Sequence, residues 1–156
     1  MRKYAVIDLE TTGPKYESGD RIFQFGCTLI DGDEVIEHVS LNINPEKSIP
    51  FEIQLLTGVT NADVATAPYF DEVAMTIFNL LEDRTLVAHN VGFDGPFIMS
   101  ALKDALGLEL EVPLIDTVQL AQICYPTALS YRLSDLTETL EIRHTQVHTA
   151  GSDARA

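Results

Sequence analysis

Tyr4-Ala5-Val6-Ile7 is a run of four apolar residues near the start of the chain, continuing into Asp8-Leu9-Glu10 and a Thr11-Thr12-Gly13-Pro14 turn. Such a run, closed by turn residues, predicts a short strand buried on both faces. Arg21 to Ile30 is rich in Ile and Phe, and Asp31-Gly32-Asp33 follows it as a hairpin turn. From Glu34 to Asn44, Val39, Leu41 and Ile43 alternate with His38, Ser40 and Asn42, the pattern of a half-buried partner strand. The first three strands therefore form a meander. Phe51 to Asn61 carries an irregular or helical patch after the Pro45 to Pro50 loop. Phe70, Val73, Ala74, Ile77, Phe78 and Leu81 then share one stripe of a helix.

Arg84 to Ala88 reads as a brief strand. A helix follows, marked by Phe97, Ile98, Ala101, Leu102, Ala105 and Leu106 and stopped by Gly107. Gly95-Pro96 suits its start, because a proline in the first turn loses no needed N–H. Leu114-Ile115 is a last short strand, with Asp116 placed to cap a helix through about Ile123; Leu133, Leu136 and Leu140 mark another helix. The order βββαβαβαα predicts an α/β sandwich around a mixed sheet with the first strand central.

At 156 residues, 46% of them hydrophobic, the chain has the size and apolar content of one folded domain. No apolar stretch approaches the roughly 20 residues of a membrane span, and the start lacks a secretory leader, so the expected compartment is the cytoplasm. Cys27 and Cys124 lie far apart without metal-ligand spacing and are expected to be buried thiols. The charge is more unusual. With 24 acids against 10 bases the net charge is −14, which repels phosphate polyanions unless a local site brings its own positive charge. Divalent cations held by carboxylates are such a source.

The acids supply candidates. Side chains two apart on a strand face the same way, about 6.6 Å apart, so Asp8 and Glu10 project together from the carboxyl end of the first strand. An isolated DxE is an ordinary strand-end feature, but this one has company. His89-Asn90-Val91-Gly92-Phe93-Asp94 places Asp94 at a strand-to-helix junction, where it can also cap the helix. His148-Thr149-Ala150-Gly151-Ser152-Asp153 places an imidazole five residues before another acid. Four carboxylates without thiols suit Mg²⁺ or Mn²⁺, and a neutral histidine can deprotonate water near physiological pH. Two such ions can hold the attacking and leaving oxygens of a phosphoryl displacement.

Asp8-Leu9-Glu10-Thr11-Thr12-Gly13, His89-Asn90 with Phe93-Asp94 and Phe97-Ile98, and His148 with Asp153 resemble the three motifs of the DEDDh, or DnaQ-like, 3′→5′ exonucleases. The match covers nearly the whole chain in the family's order. Gln54 to Thr60 is similar to the segment that borders the terminal nucleotide in relatives. Texture such as Ile22-Phe23-Gln24-Phe25-Gly26 is closest to the exonuclease domains of bacterial DinG-type helicases, with replicative polymerase proofreading domains nearly as similar.

The resemblance implies a ribonuclease H-like fold, a five-stranded mixed sheet flanked by helices. It implies two divalent ions, Mg²⁺ or Mn²⁺, with Asp8, Glu10 and Asp153 on the first, Asp8 bridging to the second, and Asp94 supporting the second. His148 becomes the general base. Thr11, Thr12, Leu55 and Phe93 meet the terminal nucleotide, while His89 is structural. The substrate implied is a single-stranded DNA or RNA 3′ end, cut to nucleoside 5′-monophosphates. Relatives continue the last helix beyond the position of Ala156, so the chain is expected to be one exonuclease domain from a longer protein with a fused helicase or polymerase. A weakly active nucleic-acid-binding module tethered to such a partner is the alternative, and ribonuclease H-type internal cutting differs from both in product size.

Overall fold

Strand β1 (Lys3–Thr11) sits in the middle of a five-stranded sheet of order β3-β2-β1-β4-β5, in a computed structural model that describes residues 1–144 and 147–156. β2 (Ile22–Asp31) and β3 (Glu34–Asn42) run antiparallel beside it, joined through Gly32, whose φ of +62° suits a residue without Cβ. β4 (Thr85–Ala88) pairs parallel to β1, and β5 (Leu114–Asp116) parallel to β4. The expected meander and central first strand are both present.

The seven helices are α1 (Phe51–Thr57), α2 (Asn61–Ala65), α3 (Phe70–Leu81), α4 (Val91–Leu106), α5 (Thr117–Cys124), α6 (Leu133–Thr139) and α7 (Ala150–Arg155), counted among the described residues. On one face of the sheet, Ala5, Ile7 and Leu9 meet Ala74, Ile77 and Leu81 of α3 and Ile98 and Leu102 of α4 in the main core. The other face of β1 carries Tyr4, Val6, Asp8 and Glu10, all only partly buried. β1 is thus not buried on both faces as its composition predicts, because the second layer of helices covers it thinly. That thin layer contains the acids.

Two local expectations fail for identifiable reasons. α4 begins at Val91, not at Phe97, so Gly95-Pro96 lies inside the helix and Asp94 does not cap it. The chain enters α4 through Asn90 in the left-handed region (φ +68°), whose N–H donates to Asp116 Oδ1 at 3.0 Å and whose carbonyl accepts from Phe93 N at 3.0 Å. The contact with Asp116, 26 residues away, and the local turn at Asn90 start the helix ahead of the proline. Cys27 is buried as expected, but Cys124 is exposed, since α5 presents no fully buried residue. Asp116 does cap α5, accepting from Val118 N at 2.9 Å. Among the described residues, no helix is long and apolar enough to cross a membrane.

Candidate active site

The carboxyl ends of β1 and β4 and the short helix α7 deliver the acids to one place. Asp8, Glu10 and Asp153 each offer a carboxylate oxygen, and the three atoms lie within 4.8 Å of one another. Asp94 is buried beside them on α4, where its Oδ1 accepts from the Leu9 N–H at 3.1 Å. That bond ties the helix to the strand between the two β1 acids. It also leaves the second Asp94 oxygen for other partners.

Electrostatics show how costly this convergence is without a cation. Burial first, then Asp94, Glu10 and Asp153, push Asp8 up to about 10. Burial, then Asp153 and Asp94, push Glu10 up to about 8. Burial raises Asp94 to about 7 against the opposing Leu9 hydrogen bond. A mostly apolar cavity of about 250 Å³, with Leu120, Leu136 and Leu140 among its walls, abuts Asp8 and Asp153. Within this crowd Asp8 Oδ2 is buried with no hydrogen-bond partner among the described residues. A buried acceptor without a donor is expensive, and a divalent cation supplies what it lacks. Oxygen donors at this density suit Mg²⁺ or Mn²⁺, so the residues present fit the implied ions.

The histidines divide differently from their motif positions. His148, the candidate base, is exposed in a turn at φ +63°, outside the carboxylate cluster. His144 takes the contact instead: its Nε2 stands 2.6 Å from Asp153 Oδ1, and its Nδ1 is 3.3 Å from Thr137 Oγ1. Nothing in the motif pointed to His144; the signal available was a second histidine within the same loop. His89, expected to be structural, has both ring nitrogens in hydrogen bonds, Nδ1 2.9 Å from Thr117 Oγ1 and Nε2 2.6 Å from the Tyr131 carbonyl.

The substrate candidates fall into two groups. Thr11 and Thr12 are buried, and their hydroxyls serve the loop: Thr11 Oγ1 donates to the Gly13 carbonyl at 2.7 Å and Thr12 Oγ1 accepts from Arg21 N at 3.0 Å. Phe93 is half-buried against Phe97, ring centroids 5.4 Å apart. Leu55 is 69% exposed beside Phe51 and Leu56, because Ile53 alone anchors that face of α1 to the small core of Phe23, Ile49, Val59 and Val64. An apolar helix face left in solvent has no structural explanation within the described residues.

A family model described as exonuclease, of the RNase T type, matches residues 5–156. The chain belongs to the exonuclease family. It is 41% identical over 154 residues to the 3′-5′ exonuclease DinG of Bacillus subtilis, covering 98% of this chain and 16% of that protein. Against the DinG of Staphylococcus aureus USA300 it is 39% identical, covering 99% of this chain and 17% of the relative. The chain thus spans about a sixth of the curated relatives it matches. In structure it is similar to an E. coli exonuclease I in complex with single-stranded DNA and zinc, with TM-score 0.85, 21% identity, 99% of this chain and 38% of the other. It is also similar to exonuclease X in complex with 5′-overhanging duplex DNA, with TM-score 0.76, 21% identity, 99% of this chain and 84% of the other. These likenesses establish the expected ribonuclease H-like fold of five mixed strands flanked by helices.

Proposed function

We propose that this chain hydrolyses the terminal phosphodiester at the 3′ end of single-stranded DNA or RNA and releases nucleoside 5′-monophosphates. The observation that carries the reading is the convergence of Asp8, Glu10 and Asp153 around an unpartnered buried oxygen in a chain of the exonuclease family. Asp8, Glu10 and Asp153 would hold one divalent ion, and Asp8 with Asp94 a second. Bound there, such ions neutralise phosphate charge and supply a nucleophilic water and a stabilised leaving oxygen.

The chain's own groups do the rest. Asp94, fixed by the Leu9 N–H, keeps α4 registered against the acid-bearing strand. The main chain after Glu10 faces the terminal nucleotide, with Leu55 of α1 and Phe93 of α4 as apolar contacts for base or sugar. The Thr11 and Thr12 hydroxyls act by shaping that loop. His148 is the proton acceptor, because an acceptor must have an available ring nitrogen, and both nitrogens of the buried His144 are engaged. The size of the relatives supports a longer protein in which this module is joined to a helicase or polymerase.

The test is product analysis on a 3′-end single-stranded oligonucleotide with Mg²⁺ or Mn²⁺. Mononucleotides are expected, and longer internal fragments would replace this reading by endonucleolytic cutting. Excess EDTA is expected to abolish turnover and most oligonucleotide binding, since a −14 chain has little other positive charge to offer. Binding that survives EDTA together with absent turnover in Mn²⁺ would favour a tethering module.

The two histidines separate in kinetics. H148A is expected to lower kcat by about 10² to 10⁴-fold with oligonucleotide binding kept, the usual range for a general base. H144A is expected to leave kcat at saturating Mn²⁺ within severalfold and to raise the Mn²⁺ concentration needed by about tenfold, as removal of a ligand's hydrogen-bond partner does. The opposite ranking would make His144 the base.

A further inference from the structure

Helix α7, Ala150–Arg155, carries Asp153 and packs across β1, β2 and β3. What it touches on the sheet sets its position. Two rows of the sheet provide the seat. In register, Glu10 of β1 lies opposite Gln24 of β2 and Asn42 of β3, and Asp8 lies opposite Gly26 and Ser40. The rows that display the acids on β1 therefore continue as α7's floor on β2 and β3.

Gln24 is buried, with 8% exposure, and both ends of its amide are used. Its Oε1 accepts from the Ala150 N–H at 2.8 Å, across 126 residues of sequence, and its Nε2 donates to Asn42 Oδ1 at 3.1 Å. Asn42 fixes the Gln24 rotamer, and Gln24 fixes the first residue of α7. Gly26 permits the close approach: a Cβ there would overlap the Ala150 carbonyl. Gly151 does the same against Ser40, where a Cβ would come within 2.9 Å of Oγ. Asp153 follows Ala150 by three residues, one helical turn, so the Ala150 bond fixes the rotation at which the Asp153 carboxylate meets Asp8 and Glu10.

We propose that Gln24 is a positioning residue for Asp153, acting through the Ala150 amide on a seat cleared by Gly26 and Gly151. The inference rests on the reading of Asp153 as a cation ligand. Gln24 touches neither ion nor substrate; its effect reaches the site as the orientation of α7.

The test uses three variants of the chain and three readouts: Mn²⁺ affinity, Mn²⁺ activation of turnover, and amide exchange. Q24M keeps length and volume but removes acceptor and donor. Q24E restores the acceptor for Ala150, with the Asn42 amide turned to donate. A150P removes the same N–H from the helix side; Thr149 already has the extended φ of −121° and ψ of 134° that a following proline requires. In Q24M and A150P the Mn²⁺ dissociation constant, read by titration calorimetry, is expected to rise about tenfold. The Mn²⁺ activation constant for nuclease turnover should rise in step, with kcat at saturating Mn²⁺ within about threefold of wild type. Amide exchange at residues 150 to 154 should quicken about tenfold in Q24M, while β1 and β4 amides keep their protection. Q24E, which also adds a carboxylate opposite Glu10, should return α7 exchange to within about threefold of wild type.

Unchanged Mn²⁺ affinity in folded Q24M and A150P overturns the proposal, as does fast α7 exchange that Q24E fails to restore. If Q24M does not fold, A150P decides alone, because it leaves the sheet intact. A wild-type chain that binds no Mn²⁺ would refute the cation reading instead; unchanged exchange across α7 in Q24M would then overturn the clamp by itself.

Discussion

D8N is expected to lose about a thousandfold or more in turnover and, in metal-free buffer near pH 8, to melt at a higher temperature than the wild type. The two effects have one cause. Asp8 is the most crowded acid of the site, raised to about 10 by burial and then by Asp94, Glu10 and Asp153, and its Oδ2 has no donor. Without a cation the fold must either keep Asp8 protonated well above its ordinary range or leave a charge buried among like charges. Asparagine has the shape of the protonated acid without the cost of protonating it, and its amide can donate to a neighbouring carboxylate. Relief of about 2 kcal/mol corresponds to roughly 4–8 °C in a domain of this size. A thousandfold loss in rate corresponds to about 4 kcal/mol of transition-state stabilisation, a fair share for a carboxylate proposed to hold the catalytic cation. Thermal melting and single-turnover cleavage of the same preparations check both. Wild-type turnover in D8N would remove Asp8 from the centre of the mechanism, and a lowered metal-free Tm would show that the unpartnered oxygen is no liability.

The reach in sequence of the contacts that set each feature decides which parts of the molecule can be read from the chain. Elements set by local pattern are found where periodicity and caps place them: the α3 stripe from Phe70 to Leu81, the Asp116 cap of α5, the hairpin through Gly32. The motif spacing also points to Asp8, Glu10 and Asp153 as one cluster, and the fold brings their carboxylate oxygens within 4.8 Å of one another. What was illegible depends on partners distant in sequence. The start of α4 is decided by Asn90 and Asp116 and overrides the local signal of Gly95-Pro96. The Ala150 seat joins positions 126 residues apart, and a glutamine in an apolar strand gives no sign of it. His144 reaches Asp153 because α6 supplies Thr137 to its other nitrogen, while the left-handed turn at His148 carries that ring outward. Spacing within a motif cannot report a backbone turn that depends on how α7 docks.

Metal-free chain is expected to become less stable as pH rises from about 5 to about 9.5, and saturating Mg²⁺ or Mn²⁺ to abolish or reverse that trend. In the unfolded chain the site acids titrate near 3.8 for Asp8 and Asp94 and 4.5 for Glu10. In the fold they titrate near 10, 7 and 8 respectively. Between these limits the native state holds more protons than the unfolded state, so stability is full below about pH 4 and is lost as pH climbs through the folded values. The slope is at most about 1.4 kcal/mol per pH unit for each group still protonated. Between pH 7.5 and 9.5 the slope comes from Asp8 and Glu10 together with Cys27, whose thiol burial pushes from 9.0 up to about 12, so the comparison is made in a Cys27→Ala background. A divalent cation replaces those protons and stabilises the fold in proportion to the logarithm of its concentration over its Kd. Its effect on Tm should therefore be small at pH 5.5 and large at pH 8.5. D8N should flatten the metal-free slope above pH 8, because the group with the highest folded pKa is gone. Melting curves in EDTA and in Mg²⁺ across this range check the prediction. A metal-free Tm that rises from pH 7.5 to 9.5 would mean that the acids are ionised and partnered in the fold, removing the electrostatic reason for the site to take up cations.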